Sequence, residues 1–161
     1  MWLVACVTTT TPTSASTPGT EAVTTTAGST LGTRAEEMPD LPTSSISVAE
    51  IDLQVWVADD AEERSQGLRG VGSLPTDIDG MLFVWDDPTE TSFVMEDTLM
   101  PLDVWFFDEE AELIGSHGMT PCTTDPCSRY PTPGAVSWAL ETPRGGQAFE
   151  IGDRLSTSAS G

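Results

Sequence analysis

Between residues 46 and 155 the apolar positions recur mostly with the two-residue period of a β-strand. Ile51, Leu53, Val55 and Val57 are separated by Asp52, Gln54 and Trp56, which predicts a half-buried strand. Ile46 and Val48 lie on the opposite parity, so a bulge or break is expected near Ala49-Glu50. Met81 to Trp85 is a short continuous apolar run after Gly80, the pattern of a buried strand, and Ser92 to Met95 is another candidate. Leu102 to Phe107, the polar stretch Asp108 to Ala111, and then Glu112-Leu113-Ile114 predict a hairpin. Ala135 to Glu141 and Gln147 to Leu155 are expected as two late strands. One short helix fits after Asp59 or Asp60, either of which can cap it. Glu62 and Glu63 would sit in its first turn, where the helix dipole favours anions, and Gly67 or Gly70 would end it. The sum is a mainly β fold, a small antiparallel β-sandwich or partly open barrel with one or two short helices.

The pattern changes outside this domain. Residues 8–45 hold 18 Ser or Thr, four Pro, no aromatic residue and no Ile. Such a stretch buries too little apolar area to offset its ordering entropy, so residues 7–45 are expected to form a disordered tether. Residues 1–6 read as the remnant of a lipoprotein signal: Leu3-Val4-Ala5-Cys6 fits a lipobox, with Cys6 as the lipidated residue. Residues 156–161 are expected as a disordered tail. The expected protein is extracytoplasmic, lipid-anchored to the cell membrane through Cys6 alone, and monomeric.

Charge narrows the function. The 161 residues carry 26 acids and 6 basic residues, all Arg, for a formal charge of -20. A binder that neutralises nucleic-acid phosphates is excluded by this balance, as is one held to anionic lipid by a basic patch. Asp77-x-Asp79-Gly80 has part of the spacing of a calcium loop, but Pro75 and Asp86 occupy its first and last ligand positions, so a turn is expected there.

From Glu63 onward the chain carries a series of motifs in order: Arg64-x-x-Gly67-Leu68, Leu74, Gly80-Met81-Leu82-Phe83, Phe93-x-Met95-x-x-Thr98, Pro101-Leu102-Asp103, Phe107-Asp108, Pro121-Cys122, Cys127, Tyr130, Leu140-Glu141 and Gly152-Asp153. In this it resembles the domain-of-unknown-function 192 family, also called uncharacterised protein family 0127, over most of residues 50–155. The resemblance implies a compact β-rich domain, often exported or membrane-associated, and implies no activity. Three positions depart from the family pattern. Glu96-Asp97 stands where Lys-Asn is usual, Val94 where Trp is common, and Arg69 where an apolar residue is common.

Three functional readings follow. The first is a non-catalytic binding or accessory role, with a ligand surface around Phe93, Met95, Thr98 and Asp103 and no cofactor. In it Cys122 and Cys127 form a disulfide, as neighbouring thiols outside the cytoplasm do, and Asp125-Pro126 favours the turn between them. The second is an exported copper-binding protein using His117, Met119, Cys122 and Cys127, since thiolate and thioether donors suit cuprous ion. The third is a carboxylate-dependent hydrolase drawing on Asp97, Asp103 and Glu141. Asp103 is otherwise expected to be partly buried and paired with Arg64.

Overall fold

The computed structural model describes residues 40–157; Cys6 and most of the tether segment lie outside this range. Among the described residues, nine strands and one helix follow each other as β1 (Thr43–Val48), β2 (Ile51–Ala58), α1 (Ala61–Gln66), β3 (Gly80–Thr89), β4 (Ser92–Val94), β5 (Leu102–Phe107), β6 (Leu113–Met119), β7 (Arg129–Pro131), β8 (Val136–Pro143) and β9 (Leu155–Thr157). Seven strands form one sheet in the order β6-β5-β8-β3-β2-β1-β9, and β4 pairs with β7 in a separate ribbon. The fold is mainly β, and the large sheet curls into a half-barrel.

The parity change at Ala49-Glu50 is a two-residue hairpin. Both residues have positive φ, 49° and 67°, and the tight turn sets Ile46 opposite Leu53 and Val48 opposite Ile51. The apolar residues of β1 and β2 therefore share one face despite their opposite parity. Toward its end β2 is buried on both faces, since Trp56 and Ala58 join the core alongside Leu53 and Val55. Strands β2 and β3 are parallel. A parallel pair needs a crossover connection, and the chain from Asp59 to Asp79, with α1 inside it, is that connection.

Two apolar clusters lie on opposite faces of the sheet. Ile46, Leu53, Val55, Leu82, Trp105, Phe107, Leu113, Leu140 and Leu155 fill the inside of the curl. The ends of the sheet approach each other there, through hydrogen bonds from Leu113 N to Asp153 O (2.8 Å), Gly152 N to Leu113 O (3.0 Å) and Leu155 N to Ala111 O (2.9 Å). On the other face Trp56, Met81, Phe83, Met95, Leu102, Val104 and Phe106 pack beneath the loop after α1 and the β4-β7 ribbon.

Three expectations about elements are corrected. Thr43–Ser45 belong to β1 and not to a tether, because their backbone pairs with Gln54–Trp56. Residues 147–154 do not form a strand; only Leu155–Thr157 do, and they take two residues from the expected tail. The segment before them lays Phe149 edge-on against Trp105, with ring centroids 4.9 Å apart. The predicted hairpin is present, and its second strand continues to Met119. Its turn is held by the Asp108 carboxylate, which accepts from the amides of Glu110 (3.0 Å) and Glu112 (2.9 Å).

A candidate ligand cleft

Helix α1 begins at Asp60, whose side chain accepts from the Glu63 amide while the Glu63 carboxylate accepts from the Asp60 amide. It ends at Gly67, where φ is +50° and a Cβ would lie 3.5 Å from the edge of the Phe83 ring. Arg64 fastens the helix to the sheet. Its Nη1 donates to the carbonyls of Asp59 (2.5 Å) and Val84 (2.8 Å), and its guanidinium carbon stands 5.7 Å from the centre of the Trp85 ring. Phe83 and Trp85 alternate along β3 and so present their rings on one side. Phe93, from β4, meets Phe83 edge-on at 5.2 Å and Trp85 at 6.5 Å.

Between α1, these three rings and Thr98 lies a cleft of about 380 Å³, and Glu141 reaches it from β8. In the sheet Glu141 pairs with Met81 on one side and Val104 on the other. The residue is 5% exposed. Among the described residues nothing donates a hydrogen bond to its carboxyl group, and no cation lies within 4.0 Å of it. Burial without a partner disfavours the charged form, and it pushes the Glu141 carboxyl from 4.5 up to about 8. At neutral pH the group is therefore mostly a neutral acid able to donate a hydrogen bond. Its backbone is held as closely as its environment, since a Cβ on Gly80 would fall 2.1 Å from the Glu141 carbonyl oxygen.

Of the four residues expected to form a ligand surface, Phe93 and Thr98 line the cleft. Met95 is 1% exposed and packs in the core beneath it. Asp103 lies elsewhere: alternation along β5 turns it to the face opposite Val104, where it meets Arg144 at 3.1 Å and accepts from the Gly145 amide at 2.8 Å. The expected Arg64–Asp103 pair is thus replaced by Arg144–Asp103, with Arg64 engaged by backbone carbonyls instead.

Cys122 and Cys127 are joined, with Sγ atoms 2.08 Å apart. The Cys122 amide donates to the Met95 carbonyl (3.1 Å), and Phe93 pairs with Tyr130 in the ribbon, so the bridged loop supports the strand carrying one aromatic wall. The four residues considered for copper do not form a ligand set. Both thiols are consumed by the bridge, and Met119 is fully buried in the core. His117 Nε2 lies 2.9 Å from the Pro131 carbonyl. The hydrolase set fails on geometry too: Glu141 alone lines the cleft, Asp103 is on the other face, and Asp97 is exposed at φ 55°.

Residues 44–157 match the model of DUF192, described as an uncharacterised ACR. The chain belongs to the DUF192 family. A solved structure from Sinorhizobium meliloti 1021, described as a candidate transcription regulator, aligns with a TM-score of 0.65 at 25% identity, over 73% of this chain and 95% of that one. A protein of unknown function from Novosphingobium aromaticivorans DSM 12444 aligns equally well, TM-score 0.65, at 21% identity over 74% and 89% of the two chains. No curated protein matches.

Two of this DUF192 member's departures from the family pattern touch each other. Arg69 Nη1 meets Glu96 Oε2 at 3.0 Å on the rim of the cleft. A cation at position 69 thus faces an acid at position 96. Asp97 adopts a left-handed backbone that Asp and Asn tolerate best among residues with a Cβ. The residues that sequence reasoning left out of the site are Arg64, Phe83, Trp85 and, as a single acid, Glu141. Glu141 did carry a signal, as the only acid between Asp125 and Glu150, set inside an apolar strand.

Proposed function

We propose that this DUF192 domain is a non-catalytic binding module that holds a small molecule with a flat apolar body in the cleft between α1 and β3. The observation that carries this is the Glu141 carboxyl group, which a residue only 5% exposed presents to the cleft and which no protein group partners. No fully buried side-chain polar atom among the described residues lacks a partner, so this carboxyl opens to the cleft, where a bound ligand that accepts a hydrogen bond would take the place of water. The aromatic rings of Phe83, Trp85 and Phe93 supply an apolar wall, and the volume is in the range of small-molecule sites. Titration with phenol followed by amide NMR tests the reading. Saturable shifts centred on Gly67, Phe93 and Thr98 are expected, and shifts spread evenly over the domain would refute it.

The module is further proposed to work outside the cytoplasm, anchored by lipid on Cys6. The lipobox-like Leu3-Val4-Ala5-Cys6 and the Cys122–Cys127 bridge support this placement. Membrane fractionation of cells making the wild type and Cys6→Ala tests it; equal release of both into the soluble fraction would refute the anchor. The description of the Sinorhizobium protein as a regulator of transcription is not adopted for this chain. A charge of -20 repels nucleic-acid phosphates.

A further inference from the structure

We infer that the ligand of this cleft is a small monocarboxylate, its negative group held by Arg64 and its flat body against Trp85 and Phe93. The inference rests on the cleft being a binding site and names the charge of what it binds.

Charge distribution carries the argument. The chain has 26 acids and 6 arginines, so a cation without an acidic neighbour is unexpected. Among the described residues, Arg69, Arg144 and Arg154 each meet a carboxylate within 4.0 Å, whereas Arg64 and Arg129 meet none; Arg129 donates to the Ser92 hydroxyl at 2.8 Å and does not line the cleft, so Arg64 is the unpaired cation there. Its Nη1 is engaged by two backbone carbonyls, which fix the guanidinium without neutralising it. The cleft beside it has three charged or chargeable side chains, Arg64, Arg69 and Glu141. Arg69 is balanced by Glu96 at the rim. Glu141 is nearly uncharged at neutral pH because it is buried.

The cleft therefore keeps about one uncompensated positive charge inside a strongly negative molecule. One guanidinium matches one carboxylate, and a charge-assisted hydrogen bond is about twice as strong as a neutral one. A carboxylate also suits the Glu141 acid, since a protonated carboxyl donates to an oxygen acceptor. An amine would meet Arg64 as a like charge, and the Glu141 carboxyl beside it is mostly protonated at neutral pH.

Calorimetric titration of the folded domain at pH 7 with benzoate, benzamide and benzylammonium separates the possibilities. Benzoate is expected to bind about tenfold more tightly than benzamide, and benzylammonium not at all. Arg64→Gln should erase the preference for benzoate over benzamide. Arg64→Lys, which keeps the charge, should retain it, and this second variant covers the case in which the first does not fold. Equal binding of benzoate and benzamide would overturn the monocarboxylate inference and leave the cleft reading standing. Tighter binding of benzylammonium would overturn the inference as well. No heat from any of the three would overturn both.

Discussion

Replacing Glu141 by Gln should make the domain more stable, by an amount that grows with pH. The Gln amide has nearly the same volume as the carboxyl and cannot ionise. In the native protein the carboxyl holds its proton up to about 8, against 4.5 unperturbed. Below the lower value both native and unfolded chains are protonated, and ionisation of Glu141 makes no difference to folding. Between the two values the unfolded chain has released a proton that the native state still binds, so stability falls as pH rises. Each unit of difference corresponds to about 1.4 kcal/mol, which gives a loss of about 3 kcal/mol by pH 7 and about 5 kcal/mol once both states are ionised. Urea unfolding followed by Trp fluorescence, for wild type and Glu141→Gln in the same buffers from about pH 5 to pH 9, measures the difference. The other carboxylates are common to both proteins and cancel in the comparison, and added salt screens the general repulsion of an acidic surface. The gap between variant and wild type should be small near pH 5, widen steadily, and level off above pH 8. A gap that stays constant across this range would refute the claim that Glu141 is buried as a neutral acid.

Three further outcomes are expected. Ala49-Glu50→Asn-Gly should stabilise the domain by about 1 kcal/mol in urea unfolding, because both positions are left-handed and these residues suit such a hairpin turn. Gly80→Ala should destabilise it by more than about 2 kcal/mol, since the added carbon meets the backbone of Glu141 and not a side chain that can move; unchanged stability would mean that β3 and β8 can separate locally. The double variant Cys122→Ser, Cys127→Ser should lose about 2 kcal/mol on the chain-entropy account, and amide exchange should rise in β4 and β7 more than in β8.

The strands that sequence pattern revealed are those with an uninterrupted apolar signal. Met81–Phe83 and Val104–Phe107 are buried on both faces and could be read directly. Thr43–Ser45 could not, because three hydroxyl residues carry no apolar periodicity and become a strand only through pairing with β2. Gln147–Leu155 failed for the opposite reason: Phe149, Ile151 and Leu155 alternate as a strand would, yet Ile151 is 69% exposed and the segment is a cover over Trp105. The cleft was half legible. Phe93 and Thr98 stand in a motif, but Arg64 and Glu141 are brought to it by the crossover and by the sheet order, which are non-local. Asp103 was misplaced because one step along a strand reverses the face, and motif adjacency does not record that step.

The hydrogen bonds among Leu113, Asp153, Leu155 and Ala111 have a bearing on solubility. In brine, the Coulomb repulsion between acidic copies fades over a few ångströms. What then discourages one molecule from adding its outermost strand to another is whether those backbone groups are vacant. Here part of each outermost strand is already spoken for by the opposite rim of its own sheet, a safeguard that no concentration of ions can weaken.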